Sequence, residues 1–339
     1  MSESRLRQIF IVLTVVAVIY GLFVNIRKFR TPSIELKKLN AALELSEVQI
    51  VSDLGQLTIG DFDSDKIVWQ DNRRVRYGFD IYMFDFSTGK EGVITRGKGK
   101  HQHPAINGDR VVWTNSGSWI YTKELPKGDV MSISEDLRRA DWPDVYGDIV
   151  VWQDMRSGNM DIYMKDLSSG EEVQITTDSA MQLSPKIHGD RIVWGDHRDG
   201  SRDRNIYMYD LSTDKEVSIC TDPGYQQAPK IHGDWVVWID NRNGNADIYG
   251  YDLSTNREIA ITSNPAEQSG PEIYGNRVVW QDNRNGNFDI YMKELPDGPE
   301  VQLTFESAYQ ASPHIYKNKI IWQDDRNGTT DIYCYALRE

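Results

Sequence analysis

Histidine and cysteine are scarce in this sequence, with six His and two Cys among 339 residues. Cys220 and Cys334 fall on strands of different repeat units, so no disulfide is expected and a cysteine-stapled scaffold is excluded. The few histidines leave little with which to build a metal centre. Only His101-x-His103 has a ligand-like spacing, and two ligands without a third are weak. No metal or other cofactor is therefore expected. The Gly-x-Ser-x-Gly elbow of serine hydrolases is absent, and no stretch is left over for an appended catalytic domain. Basic charge is also short. The net charge is −13, and the first thirty residues carry five Lys/Arg against one Glu, so the remainder carries −17. An acidic domain of this size repels phosphate backbones, which argues against nucleic acid and against tight docking on anionic lipid.

Long apolar runs are missing with one exception. Residues 8–26 carry no charge and are long enough to span a bilayer. A secretory signal is the alternative, but no Ala-x-Ala-like site follows, so an uncleaved anchor over residues 1–30 is the expectation. Flanking charge is nearly balanced, with Arg5 and Arg7 before the span and Arg27, Lys28 and Arg30 after it. A single-pass protein of the cell membrane with its large domain outside the cytoplasm is the reading adopted. Residues 31–46 open on Thr31-Pro32-Ser33 and carry a helical apolar pattern, so they read as a stalk or short helix.

What the chain has in abundance is tryptophan at a fixed interval. Trp recurs at 69, 113, 152, 194, 238, 280 and 322, which makes seven copies of one supersecondary unit. Each unit reads Pro-x-Ile, a Gly/Asp turn, Val-Val-Trp-Gln-Asp, a polar turn, Asp-Ile-Tyr-x-x-Asp-Leu, a second turn and Glu-Val-Gln-Ile-Thr. These are four short strands, A to D. From each Asp-Ile-Tyr tyrosine to the next Trp the interval is always 31 residues. All length variation therefore falls in the B–C hairpin, where Trp to Tyr is 13 in repeats 1 and 4, 8 in repeat 2 and 11 elsewhere. The last repeat stops after strand C, and residues 47–51 supply an orphan strand D. Residues 47–69 align without gaps to 172–194. A split repeat of this kind closes a ring and protects its edges. The expected fold is all-β: a seven-bladed β-propeller over residues 47–339, closed by its N-terminal strand and preceded by a single transmembrane helix.

The pattern Pro-x-Ile…Gly-Asp…Val-Val-Trp-Gln-Asp-x-Arg-x-Gly-x-x-Asp-Ile-Tyr-x-x-Asp-Leu-Ser-Thr-Gly…Ile-Thr resembles the TolB-type propeller repeat, above all its versions in archaeal and bacterial cell-surface proteins. The resemblance covers residues 47–337. It implies the fold and a role in binding protein partners. TolB carries an N-terminal α/β domain where this chain has an apolar span and a stalk.

In repeats 3 to 7, Arg156, Arg198, Arg242, Arg284 and Arg326 sit between two aspartates, with Asn205 in place of the second one in repeat 4, and repeat 2 lacks the arrangement. A guanidinium there suits a brace bridging both carboxylates better than a calcium loop. His188 and His232 share one A–B turn position and read as turn residues. Three residues before the strand-A Pro stand Gln182, Gln226, Gln268 and Gln310, with His101 at the matching place in repeat 2 and Tyr225 and Tyr309 preceding two of the Gln. They read either as a polar rim around the channel mouth, on the face of the D–A and B–C loops, or as side chains that satisfy loop backbone. Repeat 2 breaks the symmetry, since its short hairpin leaves a notch. His101, His103, Trp119, Arg138, Arg139 and Trp142 gather around that notch. The two Trp either stack on a ligand or fill the vacated volume. The function expected is a non-enzymatic, membrane-anchored module binding a protein or glycan at this mouth. The alternative is a carbohydrate-active enzyme, such as the propeller-type polysaccharide lyases whose channel mouth holds a metal with His and Gln.

Overall fold

Strands B and C are apolar at consecutive positions, so both faces need cover, and blades stacked face to face provide it. The computed structural model describes residues 47–337 other than 53, 54, 76, 97, 98, 135–138 and 201–203. In it, seven four-stranded antiparallel sheets follow the order A-B-C-D. Blade 3 is typical, with strands Asp141–Tyr146, Ile149–Asp154, Asp161–Asp166 and Glu172–Gln174. The expected anchor and stalk, residues 1–46, lie outside the described residues. Among the described residues no helix is long and apolar enough to cross a membrane.

The seven repeat Trp are buried to 1% exposure or less. Each stacks on the strand-C Tyr of its own blade, with ring centroids 5.9–6.3 Å apart. In blades 3 to 7 the indole N–H donates to the strand-B Asp two residues on, as in Trp152 to Asp154 at 3.0 Å. That bond gives the one polar atom of a core Trp a partner.

The Arg of each B–C turn braces the blade, but not between the two aspartates expected. Arg284 binds Asp282 of strand B at 2.5 Å and Glu300 at 2.8 Å, sixteen residues on and just ahead of strand D. Its guanidinium lies 4.4 Å from the Tyr291 ring centroid. The second aspartate, Asp289, instead accepts from Asn285 and Gln302, each at 3.0 Å. The strand-D Glu competes successfully because antiparallel pairing brings it beside the turn. Blade 1 has the same brace through Arg73, Asp71 and Glu91, and blade 2, with Thr114-Asn115-Ser116, has none.

Closure is as the split repeat requires. Strand Val48–Val51 pairs antiparallel with Asp331–Ala336, with Val48 opposite Cys334. Gln49 Nε2 donates to Asp331 at 2.8 Å, the same bond that Gln174 makes to Asp161 in blade 3. Glu47 takes the place of the strand-D Glu and binds Arg326 at 2.8 Å. Both cysteines are free and buried.

Strand A lines the channel and carries a bulge in every blade. In blade 4, Leu183 faces Gly195 and Lys186 faces Val193, so Ser184 and Pro185 together oppose one residue, Trp194. The bulge sets a positive φ before the proline: 57° at Ser184, 52° at Ala228, 60° at Gly270 and 50° at Ser312. Of these only Gly270 is free of a Cβ, so in the other three the bulge itself holds the conformation.

Candidate functional site

Blades 2 and 3 place His103 and Trp142 at this same bulge position, with φ of 50° and 52°. A non-glycine residue there costs on the order of 1–3 kcal/mol, a strain the bulge imposes on these two as it does on Ser184, Ala228 and Ser312. The two rings lie face to face, 4.1 Å between centroids and 16° from parallel. His103 Nδ1 is 2.8 Å from Asp141 Oδ1. That carboxylate also accepts from Thr114 Oγ1 and from the Trp142 amide, each at 2.8 Å. Burial pushes the Asp141 carboxyl up, but these bonds from His103, Thr114 and Trp142 outweigh it and hold it below the usual range. Trp142 remains 46% exposed. The result is an Asp–His pair in which a fixed carboxylate orients the imidazole beside an accessible indole face, at the mouth formed by the D–A loops.

His103 and Trp142 are thus brought together, and the sequence reading missed Asp141 and Thr114, which complete the arrangement. Arg139 is exposed two residues upstream, with φ of 50°, and Arg138 lies outside the described residues. Trp119 opens strand C opposite Asn115 and is half-buried.

The remaining candidates stand elsewhere. His101 does not share the mouth with His103. The bulge between Gln102 and Ala105 breaks the strand alternation, so His101 turns into the core, edge-on to Trp113, and burial lowers its pKa. Gln182, Gln226, Gln268 and Gln310 are each 0% exposed. They do not form a rim. Their amide nitrogens donate to loop carbonyls: to Ala180 at 3.0 Å, Asp222 at 3.2 Å, Ala266 at 2.7 Å and Ala308 at 2.8 Å. A D–A loop buries its backbone against the start of strand A, and these side chains satisfy it. Of the two tyrosines, Tyr309 is exposed and Tyr225 lies under the Arg204 guanidinium.

At the opposite, A–B end, the channel has two tiers that no motif search singled out. The residue after the strand-A proline, or after Gly60 in blade 1, lines the channel in six blades, giving Asp61, Asp144, Lys186, Lys230, Glu272 and His314; in blade 2 the matching Ala105 packs into the core. Lys186 binds Asp144 at 2.9 Å, and Lys230 binds Glu272. Burial opposes the Lys186 charge, but Asp144, Asp61 and Glu272 hold its pKa above the usual value. Outside this tier an arc of rings runs from Tyr146 through His188, His232, Tyr274 and Tyr316 to Phe62, with centroids 4.3–5.7 Å apart. His188 and His232 are turn residues as expected. Their Nδ1 atoms accept the N–H of Gly233 (3.2 Å) and Gly275 (3.0 Å) in the next blade. They also line the channel.

No family model matches the chain, and no curated protein matches it. Solved structures do match in fold. An oligogalacturonate lyase from Vibrio parahaemolyticus is 12% identical, with a TM-score of 0.65 over 86% of this chain and 94% of its own. The β-propeller domain of the Trilobed protease from Pyrococcus furiosus is 12% identical, with a TM-score of 0.67 over 84% and 96%. A TolB from Agrobacterium tumefaciens is 14% identical, with a TM-score of 0.52 over 77% and 98%. The chain is a seven-bladed β-propeller, similar in fold to that TolB. The Trilobed propeller is described as having an open velcro, whereas here the velcro is closed by Val48–Val51. The expectation that the chain is not an enzyme is corrected by these neighbours. They include oligogalacturonate lyases, one of them in complex with manganese, and prolyl endopeptidases, so the shared fold is one on which enzymes are built.

Proposed function

We propose that the chain is a carbohydrate-active enzyme of the lyase type, working on a uronic-acid-containing oligosaccharide at the D–A mouth of its channel. The observation that carries this reading is the His103–Asp141 pair beside the exposed Trp142 face. The lyase neighbours support it in fold. In the proposed step the sugar stacks on Trp142, and His103 Nε2 takes the proton on the carbon next to the carboxylate. A C=C bond forms between that carbon and its ring neighbour as the bond from that neighbour to the glycosidic oxygen breaks, and the leaving oxygen takes a proton from water. Asp141 holds the imidazole and stabilises the imidazolium. Arg139 supplies the nearby positive charge for the substrate carboxylate.

The neighbouring lyase described with manganese prompts the question of a metal. The donors of this chain do not fit one at the mouth. His101 is in the core, and the four Gln are fully buried, one to a blade, with their amide nitrogens on their own loops. Oε1 of Gln182, Gln226 and Gln310 has no partner, but no set of three His or carboxylate donors converges at the mouth among the described residues. Among the described residues only Cys220, Asp222 and Glu258 bring His, Cys, Asp or Glu donors close enough to share an ion. Arg242 already occupies that group, on Cys220 Sγ at 3.0 Å and on Glu258 at 2.7 Å as well as on Asp222. No step is routed through a metal.

The test is an ultraviolet assay for unsaturated product on a panel of acidic and neutral oligosaccharides. His103→Gln and Asp141→Asn are expected to lower turnover roughly a hundredfold or more, and Trp142→Ala to raise KM. Full activity in His103→Gln would reject the assignment. The apolar run 8–26 fits an anchor holding this domain outside the cytoplasm. Membrane fractionation with protease shaving of whole cells tests that placement, and a domain protected from the protease would refute it.

A further inference from the structure

The A–B end of the channel is a cavity of about 110 Å³ whose lining includes Asp61, Phe62, Asp63, Tyr274 and Tyr316. The reaction proposed above makes no use of it. Its charges do not balance internally. Asp144 and Glu272 each bind a Lys, but neither Asp61 nor Asp63 has a cation within ion-pair distance among the described residues. Asp61 accepts only the N–H groups of Phe62 (2.8 Å) and Ile106 (2.9 Å). Asp63 accepts from Gly108 N (2.7 Å), Ser64 Oγ (2.7 Å) and Asn107 Nδ2 (3.5 Å). Four carboxyls against two lysines leave the channel end at −2 when all four are ionised and its histidines are neutral.

Two carboxylates in a cavity edged by aromatic faces form the chemistry that selects an organic cation. A neutral ligand would leave the charge uncompensated. An anion would meet Asp61 and Asp63 directly, and both lysines are already engaged. A hard divalent ion needs six or more converging oxygens, and among the described residues no three carboxylate or histidine donors of this channel end lie close enough to share one. The volume is below the roughly 150 Å³ that accommodates benzene, so a slender alkyl chain fits and a sugar ring does not. We propose that this end of the channel binds a primary ammonium group, which donates to Asp61 and Asp63 and lies against Phe62, Tyr274 and Tyr316. The ligand class is a small amine or the end of a lysine side chain.

Protons are coupled to this binding. Burial raises the Asp61 carboxyl to about 7, with Asp144 and Glu272 adding to it and Lys186 and the Ile106 amide opposing. The other titratable groups facing it are Asp63 on its own strand, Lys230 and His314. A bound ammonium ionises Asp61, so binding near pH 7 releases protons.

Calorimetric titration of the full chain with n-butylammonium chloride, in buffers of different ionisation enthalpy and at fixed ionic strength, tests the site. Saturable one-to-one binding with proton release is expected. Asp61→Asn and Asp63→Asn should each weaken it roughly tenfold, the loss of one charge-assisted bond, at unchanged melting temperature. If Asp61→Asn fails to fold, the mouth variant Asp63→Asn decides alone. Absent saturation, undiminished binding in a folded Asp→Asn variant, or displacement of the amine by stoichiometric calcium would each overturn the assignment.

Discussion

His232 accepts the Gly275 N–H at Nδ1, and its neutral form is what the fold requires. Burial, helped by neighbouring His188, lowers its pKa to about 4, and burial does the same for His314. The unfolded chain takes up these protons near 6.5, so between about 6.5 and 4 it binds more protons than the native state. The share of stability these two histidines supply is therefore complete above about 6.5 and falls as the pH drops toward 4, while Asp61, raised to about 7, works against it over the same window. The difference in melting temperature between the wild type and His232→Asn, which keeps an acceptor, isolates the share of His232 and should shrink as the pH drops from about 6.5 to 4. Asp141 contributes in a lower window. Its native pKa is depressed, so its share is present above the ordinary carboxylate range and is lost as acid protonates it below about 4. Single residues were the level least legible in the sequence. His101 and His103 share one spacing motif, and only the bulge between them sends one into the core and the other to the mouth. The inward tier was readable in hindsight as a charged residue between Pro and a β-branched residue, Pro143-Asp144-Val145 and Pro185-Lys186-Ile187 among them. A motif search for ligands skips such a position because each blade spells it differently.

Strand pattern, turn positions and blade register were legible because alternation and fixed intervals record packing directly. The partner of each brace was not. Arg326 and Asp324 are two residues apart and visible together, while Glu47 joins them only through the closing strand. This brace gives a prediction with two unequal arms. Asp324 is 1% exposed and accepts from Arg326 Nε at 2.9 Å and from Trp322 Nε1 at 3.0 Å. Arg326→Met orphans that buried carboxylate and should cost about 3 kcal/mol. Glu47 is different, because burial raises its pKa more than Arg326 lowers it. Its charge is not held at a net gain, and Glu47→Gln should change stability by less than about 1 kcal/mol at pH 7. Chemical denaturation of the two variants separates these costs. Equal losses would show that the strand-D carboxylate anchors the brace after all.

At the scale of the ring, the fold divides its two mouths by chemistry. One carries the Asp–His pair with an open indole, and the other carries unpaired carboxylates behind an arc of rings. The spacing of the repeats marks the irregular one and therefore one mouth. It could not locate the other, whose inward side chains vary in identity from blade to blade while the backbone repeats. The closure makes the ring a single cooperative object. Removing residues 1–52 should leave strand Asp331–Ala336 with an unpaired edge, and amide exchange there should accelerate relative to the strand-C amides of blades 3 to 6. Retained protection in blade 7 would show that the ring holds without its seal.

The seal also has a timetable. Gln49 and Asp331 are 282 residues apart, and ribosomes emit the first long before the second. During synthesis at about 5–20 residues per second, the strand Val48–Val51 therefore waits, unpaired, while six blades assemble ahead of the seventh. For that interval the nascent chain is an open arc with a free apolar strand at its start, and a foreign strand edge is its most available partner. The ring becomes resistant to such capture only when its last strand is released.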